Sequence, residues 1–219
     1  MRIVSLNVGK PELVIVNDQP VSTGIFKEPI ADRVMLRTLN LEGDRQADLS
    51  VHGGPYKAVY VYPSEHYPFW KHELPEMELP WGMFGENLTT TGLLETETHI
   101  GDRFRVGSAE VKVTQPRMPC YKLAIRFERN DIIKRFLVSE RTGFYLSVLK
   151  EGEVGAGDEF ELLERNTSDV RVVDVIRLYS SDKRDLDLLR RAIASESLPN
   201  NWREHFRERL RKLNDKRDH

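Results

Sequence analysis

The chain has 219 residues, 39% hydrophobic and 31% charged, with a formal net charge of −2. A chain of this size buries roughly 70% of its unfolded surface, so it builds a core without staples, as one large domain or as a domain with a small appendage. The near-neutral charge excludes a global field that gathers nucleic acid or an anionic membrane, so any anion site must be local. The single cysteine excludes an intramolecular disulfide and a four-cysteine zinc site.

The first 165 residues read as β-rich. Arg2–Val8, Glu12–Val16, Val34–Leu39 and Ala58–Tyr62 are predicted strands, dense in Val, Ile and Tyr between Gly, Pro and Asp punctuation. Arg103–Val106 and Glu110–Val113 alternate polar with apolar, the period of a half-buried strand. Gly107-Ser108 between them puts Gly first in a two-residue loop, which suits a type II′ hairpin. Ile132, Ile133, Phe136 and Leu137 give one apolar face to a helix predicted over Asp131–Glu140. The stretch from Gly101 to Val106 is echoed from Gly157 to Leu162, which reads as a reused Gly-Asp turn into a strand rather than a duplicated binding loop.

After Arg165 the character changes. Asn166-Thr167-Ser168-Asp169 is a polar linker with capping residues. Three helices are predicted beyond it, on Val170, Val173 and Ile176, on Leu186, Leu189, Ala192 and Ile193, and on Trp202, Phe206, Leu210 and Leu213. The last carries Arg203, Arg207, Arg209, Arg211 and Lys212 interleaved with Glu204 and Glu208, a solvated face with helix ion pairs more than a nucleic-acid stripe. The expected fold is mainly β (α+β), with residues 1–165 as the main domain and 166–219 as a three-helix appendage. The N-terminus lacks a secretory pattern and no run approaches a membrane span, so the expected location is cytoplasmic, where a thiol also persists best.

Three segments carry candidate chemistry. In Gln115-Pro116-Arg117-Met118-Pro119-Cys120-Tyr121-Lys122, two prolines stiffen a loop around one thiol, and Arg117 and Lys122 bracket it. Nearby cations favour thiolate, which is both a nucleophile and a soft metal ligand. A buried core cysteine needs neither. The second segment runs from Gly43 to Lys57. Gly53 and Gly54 let backbone amides approach an anion, Lys57 adds a point charge, and His52 exchanges protons near neutral pH. It is neither a Walker loop nor a dinucleotide fingerprint. The third, Gly82 to Gly92, is a turn-rich strand containing Asn87. A cysteine–histidine hydrolase built on Cys120 and His52 has no local signature to support it.

Taken together, the segments resemble the MOSC family, named for molybdenum-cofactor sulfurase C-terminal domains. Within it they resemble the bacterial branch associated with resistance to 6-hydroxylaminopurine. The likeness lies in Leu41–Val59, Phe84–Leu93, Ile100–Val106, Thr114–Leu123 and the helical tail. Its most specific parts are Pro-Arg-x-Pro-Cys and Asp-x-x-x-His-Gly-Gly-x-x-Lys-Ala-Val; Met118 and Tyr56 stand where Gln and Asp are expected in close relatives. The resemblance implies a barrel-like domain and a cysteine that binds molybdenum of the pterin cofactor (molybdopterin) or carries sulfur. Carried over, Cys120 is the metal ligand. Arg117, Lys57, Gly53, Gly54, Asn87 and Arg45 are the cofactor-binding set, and His52, Asp44 or Asp48 deliver protons.

The activity so implied is reduction of N-hydroxylated bases or related N–O compounds. A carrier of cofactor or sulfur that never turns over is the alternative. One cysteine holds no iron–sulfur cluster and no flavin signature is present, so a separate flavin or iron–sulfur reductase is expected to supply electrons. No membrane partner is expected, nucleic acid is disfavoured, and a homodimer is left open.

Overall fold

The protein is described by a computed structural model at residues 1–45, 47, 53–181 and 185–215. The strands are β1 (Arg2–Val8), β2 (Glu12–Val16), β3 (Gln19–Thr23), β4 (Glu28–Ile30), β5 (Val34–Leu36), β6 (Val59–Pro63), β7 (Leu88–Thr91), β8 (Arg103–Val106), β9 (Ala109–Pro116), β10 (Phe144–Lys150), β11 (Gly152–Val154) and β12 (Phe160–Glu164). The helices are α1 (Tyr67–Glu73), α2 (Tyr121–Phe127), α3 (Ile132–Val138), α4 (Val172–Ser180), α5 (Leu186–Ala194) and α6 (Asn200–Asp215).

Eight strands form one sheet in the order β12-β8-β9-β10-β6-β7-β1-β4. Its pairs are antiparallel except β6 with β7, which run parallel because the chain crosses over through α1 between them. Backbone bonds from Ile3 N to Asp158 O, Gly157 N to Ile3 O and Phe160 N to Met1 O tie the start of β1 to the approach of β12. The chain at one edge of the sheet is thus bonded to β1, next to the other edge strand β4, and the mainly β domain is barrel-like without full closure. The two echoed turns launch β8 and β12, which pair with each other. Gly101 and Gly157 both take left-handed φ, +93° and +92°, so the repeat is a reused turn.

Two hydrophobic clusters fill the molecule. One runs from the barrel (Val111, Val113, Phe144, Leu146) directly into the C-terminal helices (Val175, Ile176, Leu189, Phe206). The other is aromatic: Tyr62, Trp70, Phe84, Phe127 and Phe136 pack α1, α2 and α3 together beside β6. All five residues of β6 are buried, the mark of a strand covered on both faces.

Some elements differ from expectation. The strand predicted to Leu39 ends at Leu36, because Arg37 N turns back to Asn40 O and leaves Leu39 half exposed. The helix predicted over Asp131–Glu140 spans Ile132–Val138, and Glu140 takes a left-handed φ of +58° that ends it. The short helix α2, directly after Cys120, has no periodic signal in the sequence. The three C-terminal helices form as predicted, with Trp202 and Phe206 turned inward. Among the described residues no helix is long and apolar enough to cross a membrane.

Because barrel and helices share one apolar cluster, they should unfold together. Phe206→Ala removes a fully buried ring and should cost ~3–5 kcal/mol. Urea unfolding followed by tryptophan fluorescence and by circular dichroism should give a single coincident transition at a lower midpoint.

Candidate functional site

The cysteine loop is aimed by an irregularity in β9. Tyr145 pairs with Gln115 but Leu146 pairs with Val113, so Thr114 is an extra residue. Such a bulge bends the strand and re-aims the chain beyond it. Here that chain is Pro116 and the loop to Cys120, which sits in extended backbone (φ −129°, ψ 174°) at the start of α2. The loop is seated on Gly143. Arg117 N donates to Gly143 O (3.1 Å), and Gly143 N donates to Glu95 Oε1 (2.6 Å). Gly143 has φ +65°, and a Cβ there would meet Val61 O at 2.3 Å. Only glycine fits this seat.

Cys120 is part-exposed and lines a cleft with a cavity volume of about 90 Å3. The cysteine segment contributes Arg117, Met118 and Lys122 to its wall. Lys57 enters from a 3-10 turn at Pro55–Lys57, and Tyr60 and Tyr145 from β6 and β10. Lys27, Asp44, Arg45 and Asn87 also line it. Among the described residues, five cations (Lys27, Arg45, Lys57, Arg117, Lys122) thus face one carboxylate, Asp44.

Arg117 is 5% exposed and lies between two rings, 5.3 Å from the Tyr60 centroid and 5.2 Å from that of Phe136. Its Nη1 is buried without a hydrogen-bond partner among the described residues. Burial opposes its charge, but its approach to Tyr60, Tyr145 and Cys120 more than compensates and its pKa is raised. Burial lowers the pKa of Lys57, against the attraction of Cys120. Burial pushes the Tyr145 hydroxyl up, opposed by Arg117, and pushes that of Tyr60 well up. Tyr145 therefore lines the cleft as a neutral hydroxyl, while the Tyr60 hydroxyl donates to Thr142 O at 2.8 Å.

The wall residues from Lys57 to Tyr145 fall within a matched family domain: the MOSC domain model covers residues 48–161. The chain belongs to the MOSC family. A second family model, the YiiM-like 3-alpha helix domain, matches residues 172–213, the three C-terminal helices. The chain is 43% identical over 211 residues to the uncharacterized protein YflK of Bacillus subtilis, covering 96% of this chain and 95% of YflK. It is 38% identical to YiiM of Escherichia coli, over 85% of this chain and 84% of YiiM. A protein of Gibberella moniliformis named a reductase is 36% identical over 77% of this chain, which corresponds to 30% of that longer protein. The crystal structure of YiiM from Geobacillus stearothermophilus superposes with a TM-score of 0.80 at 32% identity, covering 95% of this chain and 98% of that one.

MOSC domains are associated with the molybdenum-cofactor sulfurase family, and the donors of the cleft can be weighed against that cofactor. An orphaned buried guanidinium nitrogen among excess cations suits the phosphate of the pterin. Among the described residues no cluster of three His, Cys, Asp or Glu could hold a metal unaided. Among the described residues Cys120 is the soft ligand on offer, and the cofactor itself would bring further ones. On these grounds the residues fit the group.

The MOSC cleft brings together Cys120, Arg117, Lys57, Arg45, Asp44 and Asn87 from the residues singled out in the sequence. Gly53 and Gly54 are not in its wall, and none of the described residues lies within 4 Å of a Cβ built on Gly54. His52 and Asp48 lie outside the described residues. Lys27, Tyr60 and Tyr145 carry no local signal in the sequence; the tyrosines sit in apolar strand runs that read as core.

Asp44 and Asn87 hold the MOSC wall together. Asp44 is 2% exposed; its Oδ1 meets Lys27 Nζ and Gly9 N (2.9 Å), and its Oδ2 accepts from Asn87 Nδ2 (2.9 Å). Asn87 Oδ1 accepts from Tyr60 N at 3.1 Å. Fully engaged, Asp44 is placed as a clasp more than as a proton donor. Beside it, Glu86 takes bonds from Tyr67, Gly82 N, Phe84 N and Thr89 and shapes the 82–87 turn. Burial raises its pKa.

A clasp and a proton donor differ in what their loss does to stability. Asp44→Asn leaves Lys27 as a buried charge without its counter-ion and should cost ~3–5 kcal/mol. An unchanged urea midpoint would rule out the clasp.

Proposed function

We propose that the protein is a molybdenum-cofactor-dependent reductase of N-hydroxylated bases and related N–O compounds. The observation that carries this reading is the buried, part-satisfied Arg117 guanidinium set beside the Cys120 thiol in a cation-rich cleft. The relative named a reductase supports the class of reaction. Bound there, the cofactor would supply two-electron oxygen-abstracting chemistry, while the protein orients and tunes it.

The placement of these residues supports the following roles. Arg117 binds the cofactor phosphate with its orphaned nitrogen, and Lys57, Lys122 and Arg45 add charge around it. Cys120 presents its sulfur to the metal at the cleft wall. The Asp44–Lys27–Asn87 clasp fixes its part of the wall, so that binding is not spent on ordering it. Tyr145 holds its proton, raised by burial, and can donate to a substrate oxygen; His52 and Asp48 remain the other proton donors proposed. Electrons arrive from a separate flavin or iron–sulfur reductase.

Expression with active cofactor synthesis should give wild-type protein that retains molybdenum, while Cys120→Ala retains at least about tenfold less. Equal metal content in the two removes Cys120 from its role. The loaded, reduced wild type should be reoxidised by 6-hydroxylaminopurine. Protein that loads fully yet is never reoxidised by any hydroxylamine is a carrier.

A further inference from the structure

The C-terminal helices touch the cleft through one buried line of hydrogen bonds. Trp202, on α6, donates its indole Nε1–H to Gln115 Oε1 at 2.8 Å. Gln115 is 3% exposed on β9, two residues before Arg117. Its Nε2 donates to the Tyr56 carbonyl at 3.3 Å. The Thr114 hydroxyl, on the bulge, lies 2.7 Å from the same carbonyl and 3.0 Å from Tyr145 O, and its single proton serves one of them at a time. The Tyr56 carbonyl is half of the peptide that leads into Lys57, the last residue of the 3-10 turn. Lys57 N in turn donates to Gly54 O at 3.0 Å.

A buried indole N–H needs a partner. An acceptor within the helical bundle would have met that need, and an aliphatic side chain would have packed α6 without raising it. Instead the proton crosses from the appendage to the strand that carries the cysteine loop. Gln115 passes the constraint on: its amide carbonyl is taken by Trp202, which fixes its Nε2 toward Tyr56 O. With that carbonyl held, the peptide plane before Lys57 is set, and so is the direction in which the lysine leaves the backbone. Lys57 and Cys120 line the same cleft.

We propose that the three-helix extension sets the charge of the cleft, with Trp202 as a positioning residue that holds Lys57 against Cys120 through Gln115 and the Tyr56 carbonyl. This rests on the reading of the cleft as an anion site, and not on which metal or anion it takes. Removing the indole N–H frees Gln115 to turn, loosens the 3-10 turn, and weakens the positive field at the sulfur.

The single cysteine makes this measurable in the full chain without cofactor. The rates of its alkylation by anionic iodoacetate and by neutral iodoacetamide are compared at one pH. Their ratio cancels the thiolate fraction and reports the field at the sulfur. Trp202→Phe, which keeps an aromatic ring, should lower the ratio at least about twofold. Gln115→Met should do the same, and it decides alone if Trp202→Phe does not fold. Neither should lower the ratio further in a Lys57→Met background. A ratio unchanged in the folded variants, or a drop of equal size in the Lys57→Met background, overturns the proposal. Cofactor loading is measured separately, so a failure of the cofactor reading and a failure of this one are distinguishable.

Discussion

A guanidinium held between two aromatic rings, nearly sealed from water and short of one hydrogen-bond partner, is the constraint around which this protein is organised. Burying a cation costs several kcal/mol unless something answers it. Part of the answer is the quadrupole of Tyr60 and Phe136, which face Arg117 from both sides. Its Nη1 stays buried without a partner among the described residues, on a side chain that lines the cleft. An anion that arrives there finds a donor already oriented and already desolvated, which is what preorganised recognition requires.

The surrounding architecture serves to keep that arginine and the nearby sulfur in place. The bulge at Thr114 turns β9 out of register, the prolines stiffen the exit, and Gly143 accepts the Arg117 amide because no larger residue fits beneath Val61 O. Phe136 comes from α3, so the aromatic cluster over β6 supports the arginine as well as the fold. A buried lysine–carboxylate–asparagine clasp ties Lys27, Asp44 and Asn87 together in the same wall. The C-terminal helices are not a passenger, since their apolar side chains continue the barrel's own core.

How much of this the sequence discloses depends on the range of each contact. The Pro-Arg-x-Pro-Cys loop and the glycine-rich stretch ending in Lys57 are legible because stiffness, charge and a thiol lie within a few residues of one another. The helical tail is legible because its apolar residues repeat at one per turn. Lys27 and Tyr145 are not, since nothing in their neighbours marks them; Tyr145 meets the cleft when β10 pairs with β6 and β9, and Lys27 reaches it from the segment before β4. Asp44 reads as a proton donor from its place near His52 in the sequence, yet its carboxylate is occupied by Lys27, Gly9 and Asn87, partners up to 43 residues away. The helix α2 escapes sequence reading because seven residues, four of them buried, show too little periodicity to announce a helix.

The central claim is that Arg117 makes the cleft an anion site before any metal is considered. Isothermal titration of the cofactor-free protein with inorganic phosphate at low ionic strength tests it most directly, comparing wild type with Arg117→Met. The account predicts one saturable site in wild type, weakened at least about tenfold in the variant, as expected for loss of a charge-assisted bond. Equal phosphate affinity in the two proteins, with both folded, would contradict it.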